Sequence, residues 1–380
     1  MAESTPSLLM VAGEASGDLH GSKVLERLRE HAPELRVYGI GGDCMSDHGM
    51  ELLLRADDLA VVGLVEVVRH IPRLKAALDR IVRSVRGRGT TLAILIDYPG
   101  FNLVLAKRLK ALGVRVLYYI SPQVWAWGEG RVRTIARTVD RLAVAFPFEV
   151  DFYRERGVAA EFVGHPLLEE PWIAQVAGPK TELDDPPVLG LFPGSRRQEL
   201  ARHLPQMVGA ARILKSDLPG LRVRLGLARG FDPGVLAEHV RGDSSWVEPV
   251  PAQGVPDLMR TSTAALVSSG TATLECACAG TPMVILYRVA PLTYLVGRLA
   301  LRVPDIGLVN LVAGRRIVPE LVQREATAER LAREVRVYLT DPDRTRETSR
   351  RLFEVRAKLG TPGASERVAQ IALSMMREVP

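Results

Sequence analysis

The strongest constraint on the fold of this chain is a rhythm: short apolar runs alternate with longer amphipathic stretches. In the first half the runs are Leu8–Ala12, Arg36–Ile40, Leu92–Ile96, Val116–Ile120 and Leu142–Ala145, and segments such as Gly17–His31 and Asn102–Leu112 lie between them. Short continuous apolar runs predict strands buried on both faces. Strands alternating with helices predict parallel sheets joined by right-handed crossovers. The rhythm pauses at Pro166–Pro187, where Pro166, Pro171, Gly178, Pro179, Pro186 and Pro187 punctuate a polar stretch. It resumes with Val188–Phe192, Val223–Leu227, Ala265–Ser268 and Met283–Leu286. A chain of 380 residues is too long for one ordinary core and suits two. The expected organisation is an α/β domain over residues 1–170, a second over 186–340, and helices over 341–380. Gly360–Gly363 breaks that helical tail.

Composition narrows the class. The hydrophobic share of 47% and charged share of 25% are those of an ordinary globular chain. No long uncharged apolar stretch occurs; Met283–Leu301 comes nearest and carries Arg288, Pro291 and Arg298. Met1–Ser7 has no basic segment of the kind that opens a signal peptide, so a cytoplasmic location is expected. Cys44, Cys276 and Cys278 form no CxxC pair; the last two read as small core residues. Net charge is +6, and Arg69–Arg115 holds eleven Lys or Arg against Asp79 and Asp97. That strip is either a solvated helix face or a surface for anionic phosphates.

In doubly wound sheets ligands bind outside the carboxyl ends of the strands, so the loops after strands are where chemistry is sought. Gly13-Glu14-Ala15-Ser16-Gly17-Asp18 follows the first strand and suits an anion at a helix start, without the glycine spacing of a dinucleotide fingerprint. Asp97-Tyr98-Pro99-Gly100-Phe101-Asn102 puts a carboxylate at a strand end among apolar neighbours, which would raise its pKa and suit it to accept a proton; a turn former is the alternative. Asn102 is expected to cap the next helix. Ser121-Pro122-Gln123-Val124-Trp125-Ala126-Trp127 offers two tryptophans as a wall for a sugar or apolar ligand, or as packing under a long loop. His165, in Gly164-His165-Pro166, closes the first half.

In the second half Pro193-Gly194-Ser195-Arg196 opens a helix with backbone donors and a guanidinium, the ingredients of a diphosphate site. Ser268-Ser269-Gly270-Thr271-Ala272-Thr273-Leu274-Glu275 offers a second phosphate turn. A capping box would need Ser or Thr at Ala272, so Glu275 is freed for a ribose diol. Asn310 and Gln323 are polar groups in apolar turns. No Walker A signature occurs, and no HExxH, Cys/His cluster or Asp-x-Asp pair marks a metal site, so neither an NTPase loop nor a bound metal is expected. Without a metal, a leaving diphosphate would have to be neutralised by helix ends and arginine.

Taken in order, GEASGD, DYPGFN, YYISPQVWAW, FPFE at Phe146–Glu149, GHP, PGSRRQE, SSGTATLE and NLVAGR with VPELVQ resemble the lipid-A-disaccharide synthase family. The resemblance implies a GT-B fold of two Rossmann-like doubly wound domains with an interdomain cleft, helices over 341–380 that pack back toward the first domain, and an inverting glycosyl transfer needing neither cofactor nor metal. It implies UDP-2,3-diacylglucosamine as donor and 2,3-diacylglucosamine 1-phosphate (lipid X) as acceptor, giving the lipid A disaccharide 1-phosphate and UDP. Asp97 would be the general base and Glu14 its partner. Arg196, Ser269, Gly270, Thr271, Thr273, Glu275, Asn310 and Gln323 would hold the nucleotide sugar. Ser16, Asn102, Ser121, Gln123, Trp125 and His165 would line the acceptor side. The chain would be peripheral on the cytoplasmic face of the inner membrane. Val62, Leu64, Val65, Val67, Val68 and Ile71, just before or within the basic strip, would insert into its anionic surface. Oligomeric state is left open, a homodimer included.

Three other readings compete. A UDP-GlcNAc 2-epimerase-like protein or another UDP-sugar enzyme would share the architecture but lack SPQVWAW. An NAD-dependent oxidoreductase is disfavoured by the missing fingerprint in both halves. A nucleic-acid-binding protein is disfavoured by an aromatic share of 5% and the absence of any RRM, KH or OB signature, so no nucleic-acid partner is expected.

Overall fold

The computed structural model describes residues 6–58, 64–125, 128–290, 294 and 305–378. The chain divides into two compact units. One is Met1–Leu168 with Gly360–Pro380, and the other is Glu169–Leu359.

In the first unit the described strands are β1 (Ser7–Ala12), β2 (Arg36–Gly41), β3 (Glu51–Arg55), β4 (Leu92–Ile96), β5 (Arg115–Tyr119), β6 (Arg141–Val144) and β7 (Ala160–Phe162). They pair in parallel in the order β3-β2-β1-β4-β5-β6-β7. The alternation of strand side chains splits each central run between two layers. Leu9 and Val11 of β1 join Ala93 and Leu95 of β4 in one core. Leu8, Met10 and Ala12 join Leu92, Ile94 and Ile96 in the other. Against this second face packs helix α1 (Ala15–His31), together with the final helix, Ala364–Arg377.

The second unit repeats the plan. Strands β8 (Val188–Phe192), β9 (Arg222–Gly226), β10 (Val247–Val250), β11 (Ala264–Ser268), β12 (Met283–Tyr287) and β13 (Glu320–Val322) pair in parallel in the order β10-β9-β8-β11-β12-β13. Cys276 and Cys278 are buried in it as small core residues. The residues expected as linker, from Glu169 to Pro187, belong to this unit. The tail is divided: the helix Pro342–Lys358 stays with the second unit, and the chain from Gly360 onward belongs to the first. The reason is a break at Gly360–Gly363, where both glycines take the left-handed conformation and the preceding helix stops.

In both sheets the strand order reverses once, between β1 and β4 and between β8 and β11. Those are the switch points at which such sheets open a crevice at their carboxyl ends. Glu14 and Asp97 follow the first pair, and Arg196 and Ser269 follow the second. Of the expected membrane segment, Val62 lies outside the described residues. Leu64, Val65, Val67, Val68 and Ile71 fall within the helix Leu64–Arg88, their side chains outside the described set. No described helix is long and apolar enough to cross a membrane.

Candidate functional site

At the first switch point the backbone is strained. Asp97 and Tyr98 have φ of 45° and 49°, and Ile120, after β5, has φ of 59°. Left-handed conformations are costly for side chains of this kind and persist only where the surroundings over-determine them. Here they do. The Asp97 N–H donates to the Tyr119 carbonyl at 3.0 Å. The Asp97 carbonyl accepts from the Tyr118 hydroxyl at 2.6 Å and from Asn102 Nδ2 at 2.8 Å. Asn102 therefore does not cap the next helix. That helix, α4 (Pro99–Lys110), begins at Pro99 behind Tyr98, so Asn102 lies inside its first turn. Its amide reaches back to the Ile96 and Asp97 carbonyls and fixes the strand end instead.

The Asp97 carboxyl is pushed up to about 6, chiefly by burial and next by the negative charge of Glu14, against a backbone hydrogen bond from Tyr98. Glu14 is exposed at the start of α1 and makes no capping bond. The turn beneath it is closed by Gly13, where a Cβ would sit 2.2 Å from the Tyr98 ring. Only a residue without a side chain lets Tyr98 lie across this turn. Asp18, from the same motif, is buried and accepts from the N–H groups of Gly42, Cys44 and Met45 at 2.6–3.1 Å, so it ties α1 to the helical turn that follows β2.

The loop after β5 is held from below. Glu149 is 1% exposed. It accepts from Ser121 Oγ at 2.5 Å, Trp125 Nε1 at 3.0 Å and the Phe146 N–H at 3.0 Å. Burial pushes this carboxyl up to about 7 in spite of those donors. Trp125 meets Phe148 edge-on at 5.0 Å, and Phe146 stacks on Phe148 and tilts against His165 at 5.2 Å. His165 is buried, and its Nδ1 accepts from the Leu167 N–H at 3.1 Å. Burial, then neighbouring His20, drives its pKa down to about 3, so it is a neutral packing residue. Ser16 and Gln123 are exposed; Trp127 lies outside the described residues.

The second switch point opens a cavity of about 450 Å³, lined among others by Gly194, Ser195, Arg196, Ser268–Thr271 and Glu275. Gly194 has φ of 111°, and a Cβ there would meet Glu199 Oε2 at 2.4 Å, so glycine lets the loop close onto the helix α8 (Arg197–Asp217). Arg196 is exposed and touches Glu199 at 3.3 Å. Ser269 Oγ donates to the Ile306 carbonyl at 2.9 Å, and Thr273, fully buried, donates to the Gly270 carbonyl at 2.8 Å. These two hydroxyls shape the turn, and Gly270 and Thr271 line the cavity beside it. Glu275, on helix α11 (Ala272–Cys278), is pushed up to about 7 by burial and then by Glu170.

Asn310 and Gln323 depart from the expectation of direct ligand contact. Asn310 is fully buried and its amide is spent: Nδ2 donates to the Val318 carbonyl and Glu320, and Oδ1 accepts from the Ile317 and Val318 N–H groups. Gln323 binds the backbone of Val289 through both amide atoms, at 2.8 and 3.1 Å. Each uses its polarity to brace a loop, which a pattern of residue types cannot distinguish from holding a ligand.

A family model described as lipid-A-disaccharide synthetase matches residues 8–375. The chain belongs to this family. The lipid-A-disaccharide synthase of Geobacter metallireducens is 48% identical over 374 residues, 97% of each chain. Among solved structures, a putative UDP-N-acetylglucosamine 2-epimerase from Listeria monocytogenes superposes with a TM-score of 0.67 at 11% identity, over 99% of this chain and 98% of that one. CalG4, the calicheamicin glycosyltransferase, gives 0.60 at 14% identity, over 98% and 99%. At such identities these two share the fold alone, which is GT-B. The epimerase-like alternative thus has the architecture in common, and the sequence match separates the lipid-A-disaccharide synthetase family from it. Within this family member, residue patterns passed over two groups. Glu149 ends the FPFE run, whose spacing reads as helix start. Ser268 reads as a strand end; the residue lines the cavity, and its hydroxyl is buried with no hydrogen-bond partner among the described residues.

Proposed function

We propose that the chain transfers 2,3-diacylglucosamine from UDP to the 6-hydroxyl of 2,3-diacylglucosamine 1-phosphate, with inversion. The acceptor oxygen attacks the anomeric carbon, the bond from that carbon to the diphosphate breaks, and the acceptor's proton passes to Asp97. UDP carries away the electron pair. The second unit holds the nucleotide: Arg196 and the N–H groups of Gly270 and Thr271 meet the diphosphate, Ser268 Oγ adds a donor, and Glu275 accepts from the ribose diol. The observation that carries this reading is the pairing of chemistries at the two switch points, a carboxyl raised to about 6 at one and a glycine-and-arginine cavity at the other. A base with a pKa just below neutral is ionised at working pH and still basic enough to take a hydroxyl proton as the bond forms.

Glu14 supports the base by its charge, and Glu149 holds the loop that bears Ser121 and Trp125 against the acceptor. The apolar residues Val62, Leu64, Val65, Val67, Val68 and Ile71, with Arg69, Arg73 and Lys75, would seat the chain on an anionic lipid surface from which both substrates are drawn. The purified protein, given UDP-2,3-diacylglucosamine and lipid X, should yield the disaccharide 1-phosphate and UDP by mass spectrometry. Hydrolysis or epimerisation of the donor, with no disaccharide, would overturn the proposal. Replacing Val67 and Val68 by Ser should lower co-sedimentation with anionic vesicles and leave the fold intact.

A further inference from the structure

The second unit contains another cavity, of about 1110 Å³, which the transfer as described does not use. It is lined in part by Arg202 and Gln206 of α8, by Arg288 just after β12, and by Gln323, Arg324 and Glu325 just after β13. Among the described residues no carboxylate pairs with Arg202, Arg288 or Arg324, whereas Glu325 is taken by Arg330 at 3.2 Å. Three guanidinium groups around one cavity repel each other.

The loop that carries Arg288 is pinned from two sides. His203, fully buried on α8, donates through Nδ1 to the Pro193 carbonyl at 2.9 Å and accepts the Arg288 N–H on Nε2 at 3.0 Å. Burial lowers the pKa of this imidazole, and accepting an N–H on Nε2 requires its neutral form. On the other side, β12 and β13 end their ladder at Tyr287 and Val322. The Gln323 side chain then continues it, donating to and accepting from Val289, and the residue takes a left-handed φ of 52°. A strained residue and a buried histidine with both nitrogens engaged thus fix one short stretch of backbone, the arrangement expected of a preorganised binding loop. His203 also ties this loop to Pro193, at the start of the nucleotide-side turn.

We propose that Arg202, Arg288 and Arg324 form a binding site for a phosphate ester, separate from the diphosphate turn. Guanidinium groups match phosphate oxygens in geometry and charge, and three of them offer a dianionic phosphomonoester more than a single arginine could. The ligand chemistry has two sources. One, resting on the function proposed above, is the 1-phosphate of the acceptor. The other is the phosphate of an anionic lipid headgroup.

The test uses the full chain carrying Arg202→Gln, Arg288→Gln and Arg324→Gln together, with Arg324→Glu alone as a milder variant at an exposed position. Retention of UDP affinity by calorimetry shows the second unit intact. If the acceptor phosphate is the ligand, KM for a short-chain 2,3-diacylglucosamine 1-phosphate rises about ten-fold or more, the loss expected for charged hydrogen bonds, while KM for the dephosphorylated acceptor does not move. If the headgroup is the ligand, that preference survives and co-sedimentation with phosphatidylglycerol vesicles falls relative to phosphatidylcholine. Calorimetry with glucosamine 1-phosphate tests the cavity without turnover, so a chain that makes no disaccharide still reports on it. Unchanged acceptor preference, vesicle binding and glucosamine 1-phosphate affinity in both variants would overturn the site.

Discussion

The two units are built on the same strand order and use their switch points in opposite ways. The first places carboxyl groups there, Asp97 raised to about 6 with Glu14 beside it, and spends backbone strain to hold them. The second places glycines, hydroxyls and arginine around a cavity; of the two carboxyls that line it, Glu199 is paired with Arg196 and Glu275 lies one turn into the helix. One crevice is suited to accept a proton and the other to accept an anion. The doubly wound sheet does not dictate the chemistry; it supplies a place where short loops can present either sign.

This contrast can be broken most severely at Asp97. Asp97→Asn keeps the shape and removes the base, so turnover should fall by about 10²–10⁴ while UDP affinity holds. In the unaltered chain turnover should decline as pH drops through about 6, the value of that carboxyl, and the residual rate of the Asn chain should lack this acid limb. A near-normal rate in the Asn chain would move the role to Glu14. The complementary change, Glu275→Ala, should weaken UDP binding by about 1.5–3 kcal/mol, roughly ten- to hundred-fold, and leave the pH profile in place. Calorimetry showing unaltered UDP affinity would make Glu275 a structural residue and erase the division of labour.

Two smaller effects sharpen the comparison. The folded-state pKa of Asp97 lies above its unfolded value of about 3.9, so between the two the folded chain binds the additional proton. That contribution to stability is complete below the unfolded pKa and is lost as pH rises through about 6. The Asn chain, which never bears the buried charge, should therefore melt higher than the parent near pH 8, by up to about 2–3 kcal/mol, and show little advantage near pH 4. Identical melting curves at both values would mean the carboxyl is not buried as described. Last, Gly13→Ala forces a methyl group into the Tyr98 ring, and overpacking of this kind costs about 1–3 kcal/mol. It should loosen the Asp97 turn and lower turnover with UDP affinity unaffected; a parallel fall in UDP affinity would show that the two crevices are not independent.

What could be read from residues alone followed burial. The central strands announced themselves, and Leu92–Ile96 and Val188–Phe192 match their predicted bounds. The strands that went unseen are β3, β7, β10 and β13, the edges of the two sheets. Their sequences, ELLLR, AEF, VEPV and ELV, carry charge because one flank lacks a partner, so no continuous apolar run marks them. Loop positions of the candidate residues were equally readable, since they follow from strand ends. The use made of each polar group was not. Asn102, Asn310, Thr273 and Gln323 turn inward to satisfy backbone groups at distances of about 3 Å. Such bonds depend on tertiary placement that local spacing does not encode.

The final helix closes the first unit. Val368, Ala369, Ala372 and Met375 share a core with Leu8, Met10, Val24 and Ile94. A ribosome making this chain therefore releases the strands of the first switch point long before the final helix that helps cover one of their faces. The nascent first unit must wait, with that face only partly covered, while the whole second unit is synthesised. The second unit, being continuous, has no such delay. A premature stop after Leu359 would spare every candidate catalytic and binding residue and still leave the first sheet half-covered, so the enzyme's quality control is written into its last turns of helix.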